Sequence, residues 1–299
     1  MANAWVFPGQ GSQKVGMAAG VLELPGAKER FEAASTLLGR DLLAICEADQ
    51  SERYGFLGEL GKTRNTQPAL FVVESLLVDE LKRQGRKAAL IAGHSLGEIT
   101  ALYAAGVVTA EAAMGLIAKR SVLMSAARGG AMTAVMGFDR RELEALVEMT
   151  EGVVIANDNS NAQVVLSGSV EAVNNVSRQL KCKRAIPLAV SGAFHSPFMQ
   201  QAADAFSQEL DAIAFADASI PVLSNTDPTP ETSGASLKAR LRSQMTTGVR
   251  WRETMEAMTA AGITTAVEIG PGNVLSGLIK RSTEGITNAQ IATAADLGL

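Results

Sequence analysis

A chain of 299 residues with 47% apolar and 19% charged side chains can bury a substantial core, as one large α/β domain or as a domain carrying an inserted second one. That composition excludes a disordered chain. The 27 basic and 31 acidic residues leave a formal net charge of -4 with no dense basic run or basic-aromatic stripe, which argues against nucleic acid as a partner. Only Cys46 and Cys182 are present, so neither a disulfide framework nor a CxxC metal site is expected; they read as two buried thiols of a reducing cytoplasm.

The amino terminus, MANAWVFPGQGSQ, lacks a basic segment followed by a long apolar one and does not read as a secretory signal. Ala4 to Phe7 form the first strand candidate, which runs into the Gly-rich turn PGQGSQ and then into helical spacing around Phe31 to Leu38. The stretch TQPALFVVESLLVDELKRQ, residues 66–84, has Pro68 near its start, apolar residues three and four apart, cations late and Gly85 just after, which predicts a helix. AALIAG then reads as a short buried strand, followed by a helical pattern from Gly97 to Ala105. Thr109 is an N-cap candidate for the next helix, with Glu111 in its first turn and an end near Ala127. The apolar run ITALYAAGVVTAEAAMGLIAK is broken by Gly106, Thr109 and Glu111, too early for a membrane span, so a soluble cytoplasmic protein with no membrane partner is expected.

Between Gly130 and Ala189 the pattern becomes strand AMTAVMG, helix RRELEALVEM, strands GVVIAN and AQVVLSG, helix VEAVNNVSRQL and strand RAIPLAV. This is the βαββαβ order of a ferredoxin-like unit. The larger unit then resumes with SGAFHSPFM, a helix through QQAADAFSQEL, the strand IPVLSN, helical stretches around SLKARLRSQM and WRETMEAMTAA, and the strand TAVEIG leading into PGNVLSGLIKR. The expected organisation is a large α/β subdomain from residues 1–127 and 191–299, with a ferredoxin-like small subdomain at 128–190 and function in the crevice between them. NTDPTPETSGAS is expected to be a mobile surface loop.

Gly93-His94-Ser95-Leu96-Gly97 fits G-x-S-x-G on a strand-to-helix turn, the context in which a sharp elbow exposes a nucleophile and leaves no room for larger neighbours. The pattern alone also fits a structural turn; its placement favours the elbow. A serine hydroxyl needs a base, and the chain offers only His94 and His195 as imidazoles. His94 adjoins Ser95 on a tight turn where neighbouring side chains diverge, so His195, in SGAFHSPF, is the better base. An α/β-hydrolase places its acid between the serine and a histidine near the carboxyl end, and no histidine follows His195, which counts against hydrolysis.

FPGQGSQ, GHSLGE, the arginine of IAKRSVLM, GAFHS, RSQMTTGVRW and VEIGPGNVLSGL, spread from about Val6 to Arg281, together resemble the malonyl-CoA:acyl carrier protein transacylase family. The resemblance implies an α/β-hydrolase-like large subdomain with a mainly parallel sheet and the inserted ferredoxin-like one. It also implies Ser95 as nucleophile, His195 as base, and the Gln10 and Leu96 amides as an oxyanion hole. It further implies that the Gln244 main-chain carbonyl, and no carboxylate, holds the histidine's other nitrogen. Arg120 would grip the malonyl carboxylate by a bidentate fork, with Met124, Asn159 and Phe194 as further pocket candidates. Malonyl would pass from coenzyme A through malonyl-serine to the phosphopantetheine thiol of acyl carrier protein, feeding fatty acid synthesis. No bound cofactor or metal is expected, and the protein would act as a monomer. Basic residues near the cleft mouth, with Lys62, Lys183 and Arg184 as candidates, would meet an acidic carrier. A discrete acyltransferase of a polyketide or malonate decarboxylase system, or a serine thioesterase, are the alternatives. The chain departs from the family at Gly248, where proline is common, and glycine is expected to loosen the loop carrying Gln244.

Overall fold

Apolar side chains on the first strand alternate between two separate cores: Trp5 and Phe7 enter one, Ala4 and Val6 the other. A strand buried on both faces needs helices on both, which makes the large unit a three-layer α/β structure. The computed structural model describes residues 2–48 and 57–299. Its strands and helices run β1 (Asn3–Phe7), α1 (Ala27–Leu38), α2 (Leu42–Glu47), α3 (Thr63–Arg83), β2 (Leu90–Gly93), α4 (Gly97–Ala104) and α5 (Ala110–Ala126). There follow β3 (Gly130–Phe138), α6 (Arg140–Met149), β4 (Val153–Ser160), β5 (Gln163–Ser169), α7 (Val170–Gln179) and β6 (Cys182–Pro187). The chain closes with α8 (Gln200–Asp211), β7 (Val222–Leu223), α9 (Gly234–Ser243), α10 (Trp251–Ala260), β8 (Thr265–Ile269), α11 (Val274–Ser282) and β9 (Thr287–Ile291).

The large sheet is parallel throughout, ordered β7-β2-β1-β8-β9, with Trp5 opposite Ile91 on one side and Val267 on the other. Successive strands leave β1 in opposite directions, so a crevice opens beyond the carboxyl ends of β1, β2 and β7, where ligands bind in such sheets. The small sheet is antiparallel, ordered β4-β5-β3-β6, which is the ferredoxin-like arrangement of a βαββαβ unit. Strand alternation again assigns its faces: Val164 and Leu166 pack with Leu143, Val173 and Val176 under α6 and α7, while Val165, Met132 and Ala156 join the main core. Strand β6 is exposed, with Lys183, Arg184 and Pro187 along it, residues that blunt a free edge. Among the described residues no helix is long and apolar enough to cross a membrane.

Several local expectations are corrected. Helix α3 begins at Thr63, so Pro68 lies inside it; the Arg64 carbonyl that Pro68 cannot serve accepts instead from Arg40 Nη2 at 2.6 Å. IPVLSN yields only the two-residue β7, and RAIPLAV is ordered as a strand over 182–187. The NTDPTPETSGAS stretch is pinned: Glu231 and Val222 exchange backbone hydrogen bonds of 2.9 and 3.1 Å, and Arg240 Nη1 donates to the carbonyls of Asp227 at 3.0 Å and Thr229 at 2.8 Å. Cys46 is buried, and burial pushes its thiol up to about 12; Cys182 is only half-buried because it opens the edge strand. Gly248 does not merely loosen its loop. A Cβ there would lie 2.6 Å from the Ile155 carbonyl oxygen, so glycine lets the loop lie close against β4. Val249 and Asn157 pair beside it as an isolated parallel bridge.

Candidate active site

Strand β2 ends at Gly93 and α4 begins at Gly97, and both glycines are required by contact: a Cβ on Gly93 would meet the Gly97 carbonyl oxygen at 1.9 Å, and one on Gly97 the Phe7 carbonyl oxygen at 2.1 Å. Between them Ser95 takes φ 52°, in the left-handed region. His195 has φ 55°, and these two are the only residues other than glycine with positive φ among the described ones. Such a conformation costs about 1–2 kcal/mol per residue, so it persists only where the surroundings enforce it.

The two strained residues meet. Ser95 Oγ lies 2.7 Å from His195 Nε2, and His195 Nδ1 lies 2.9 Å from the Gln244 main-chain oxygen. A carbonyl can only accept, so Nδ1 carries the proton, Nε2 keeps its lone pair, and the serine hydroxyl donates to it. Burial, and next the Arg120 charge, hold His195 down to about 3, so the imidazole is neutral at ordinary pH and ready to take a proton. His94 points elsewhere: its Nε2 lies 2.8 Å from Asn159 Oδ1 and its ring 5.6 Å from Trp251.

Arg120 is fully buried. Its Nη1 donates to Gln67 Oε1 at 2.9 Å, and its Nη2 donates to Gln244 Oε1 at 2.9 Å and Ser95 Oγ at 3.1 Å. Among the described residues the buried Nε has no hydrogen-bond partner. Burial lowers the guanidinium to about 10, opposed by the charge of Glu98, and it stays cationic at neutral pH. A buried guanidinium whose Nη2 lies 3.1 Å from Ser95 Oγ suits an anionic group attached to that oxygen.

Gln10 and Leu96 flank the elbow from β1 and α4, and among the described residues neither backbone amide has an intramolecular acceptor. Gln10 Nε2 is held by Thr63 Oγ1 at 3.1 Å, and a Cβ on neighbouring Gly9 would lie 2.5 Å from the His94 carbonyl oxygen, which brings this turn against the elbow. Met124 is buried, with its sulfur accepting from Gln67 Nε2 at 3.3 Å; Phe194 is buried beside His195.

Sequence reasoning missed three residues. Asn225, at the end of β7, clamps the elbow: its Oδ1 accepts from Ser95 N at 2.7 Å and its Nδ2 donates to Gly93 O at 2.6 Å. Gln67 anchors Arg120, and Glu98 accepts from Gln244 Nε2 at 2.7 Å. Glu98 stands in the GHSLGE run, where sequence reasoning gives it no role, and the burial that singles out Asn225 and Gln67 exists in the folded chain alone.

Comparison with known proteins identifies the family of the chain. Residues 4–298 match the family described as "Acyl transferase domain". The malonyl CoA-acyl carrier protein transacylase of Synechocystis sp. is 47% identical over 298 residues, covering 99% of both chains. The crystal structure of the Synechocystis sp. PCC 6803 enzyme superposes with a TM-score of 0.94 at 46% identity, over 100% of this chain and 99% of that one. A malonyl-transacylase solved in complex with a type II PKS acyl-carrier protein matches with a TM-score of 0.89 at 37% identity, over 99% and 98% of the two chains. The chain belongs to the acyl transferase domain family.

Proposed function

We propose that this protein transfers malonyl from malonyl-CoA to the phosphopantetheine thiol of acyl carrier protein through a malonyl-Ser95 intermediate, in support of fatty acid synthesis in the cytoplasm. The observation that carries this reading is the run Gln244 O, His195, Ser95 Oγ with Arg120 Nη2 3.1 Å from the same oxygen. A nucleophile and its base are joined there to a cation that can read the acyl group.

In the proposed reaction His195 Nε2 takes the Ser95 proton as Oγ attacks the thioester carbon, and the Gln10 and Leu96 amides receive the oxyanion. Coenzyme A leaves with the proton from His195. The carrier thiol then enters, His195 takes its proton as the sulfur attacks the serine ester, and the carbon–oxygen bond breaks as His195 returns that proton to Ser95 Oγ. Arg120 binds the malonyl carboxylate throughout, and Met124, Asn159 and Phe194 shape the acyl pocket. All steps use this chain's own residues. We take residues 128–190 as a subdomain inserted between 1–127 and 191–299, and the active species as a monomer that meets its acidic carrier near Lys62, Lys183 and Arg184.

The test is transfer of labelled malonyl, beside acetyl and methylmalonyl, from CoA to carrier protein by the parent and by Arg120→Ala. The parent should prefer malonyl. The variant should lose malonyl transfer by a few kcal/mol in kcat/KM, the range of about 2–5 kcal/mol for one partner of a buried charge pair, with acetyl transfer little changed. Equal loss for both acyl groups would mean that Arg120 does not read the carboxylate.

A further inference from the structure

Glu98 closes the GHSLGE run one turn after Ser95, and the acyl transfer above gives it no task. It is 0% exposed, and a carboxylate so buried is costly unless hydrogen bonds and a counter-charge offset the loss of water. Its Oε2 accepts from Gln244 Nε2 at 2.7 Å and from the Asn225 amide at 3.1 Å. Both donors continue to the reacting groups. Asn225 holds Ser95 N and Gly93 O. Gln244 Nε2 donates at 2.9 Å to Ser95 O, its Oε1 accepts from Arg120, and its main-chain oxygen accepts from His195. One buried carboxyl group therefore ends two hydrogen-bonded chains through its Oε2, which together fix both peptide flanks of the strained Ser95, the histidine's partner and one arm of the arginine.

The sense of the Gln244 carboxamide is also determined. Turned over, its NH2 would face the Arg120 guanidinium and its oxygen the Glu98 carboxylate, two repulsive contacts in place of two attractive ones. Burial pushes the Glu98 carboxyl up, while the hydrogen bonds from Gln244 and Asn225 and the charge of Arg120 pull it back. The Gln244 carboxamide bonds to both groups, to Arg120 through Oε1 and to Glu98 through Nε2.

We propose that Glu98 is a positioning residue for the Ser95–His195 pair and for Arg120, a buried carboxyl group set one amide away from the histidine and acting through Gln244 and Asn225. In a catalytic triad an acid touches the imidazole directly; here the acid orients the group whose carbonyl does so. This inference rests on the acyl-transfer reading, and Glu98 itself touches neither substrate nor reacting atom.

The experiment uses the full chain as Glu98→Ala, Glu98→Gln, Gln244→Ala and the double variant Glu98→Ala/Gln244→Ala. In each, kcat and KM for malonyl-CoA are measured on enzyme counted by active-site titration, with folding checked by circular dichroism. Glu98→Ala should lower kcat by about 100-fold with a smaller change in KM, the scale of a reacting group misplaced by about 1 Å. Glu98→Gln keeps an acceptor oxygen for the same donors and should recover part of that loss. Gln244→Ala keeps the main-chain carbonyl, and the double variant should cost little more than the larger single one, because both changes cut one chain. Additive losses, or a Glu98→Ala enzyme within about threefold of the parent, would overturn the proposal. Should Glu98→Ala not fold, an unchanged kcat in Glu98→Gln would overturn it, and a loss there would support it. A parent enzyme that transfers no malonyl would sink the acyl-transfer reading; unaffected Glu98 variants of an active parent sink this proposal alone.

Discussion

At the scale of single residues the site depends on keeping His195 neutral. A base must be unprotonated to act, and burial with the nearby Arg120 charge opposes its protonation, so the free imidazole persists well into acid. Labelling of Ser95 by an uncharged fluorophosphonate should therefore hold its rate as pH falls through the ordinary histidine value of about 6.5, declining only in stronger acid. Arg120→Gln removes the second cause of the depression and should move that decline toward neutrality. A half-loss near 6.5 in the parent would show that the imidazole titrates as an exposed one. The proposed base, His195, was legible in the sequence because the chain has only two histidines and one is tied to the elbow by adjacency. Glu98, Asn225 and Gln67 were not, since a glutamate or amide on paper looks the same whether it ends up solvated or buried.

At the scale of elements, legibility followed periodicity and caps. Helix α6 spans Arg140–Met149, as its pattern predicts, because Asp139 caps it at Glu142 N and a strong apolar stripe covers one face. Strand β9 was missed because TNAQI is mostly polar and four of its five residues are exposed. Helix α2 has only six residues, too few for a period to show, and rests on its Asp41 cap. The close approach of Gly248 to Ile155 was not legible, because loop flexibility can be argued from one residue whereas a contact needs the partner strand. Gly248→Ala should force a backbone shift costing about 1–3 kcal/mol, the range for overpacking, and should lower Tm and malonyl transfer together, since Gln244 lies on the same loop. An unchanged Tm and rate would mean that the loop has room to spare.

At the scale of the molecule the site exists only where separate parts of the chain converge. Ser95 comes from the end of β2, the Gln10 turn from β1, Asn225 from β7 and Gln244 from the segment before α10. Asn159 reaches His94 from the small sheet, beside an Asp158 that accepts from Arg252 Nε at 3.0 Å. Ser95 and His195 are 100 residues apart and His195 and Gln244 are 49, separations that no local pattern encodes. What made their meeting legible was the order of six motifs across the chain. The fold class followed from the change between long helical patterns and the compact βαββαβ stretch. The central claim is that acyl transfer runs through Ser95, and it is tested most directly by mixing the whole enzyme briefly with malonyl-CoA in the absence of carrier and weighing its peptides. The account predicts a single malonyl group on the peptide containing Ser95, discharged when phosphopantetheinylated carrier is added. A label on another residue, or transfer to carrier with no acyl-enzyme at all, would contradict it.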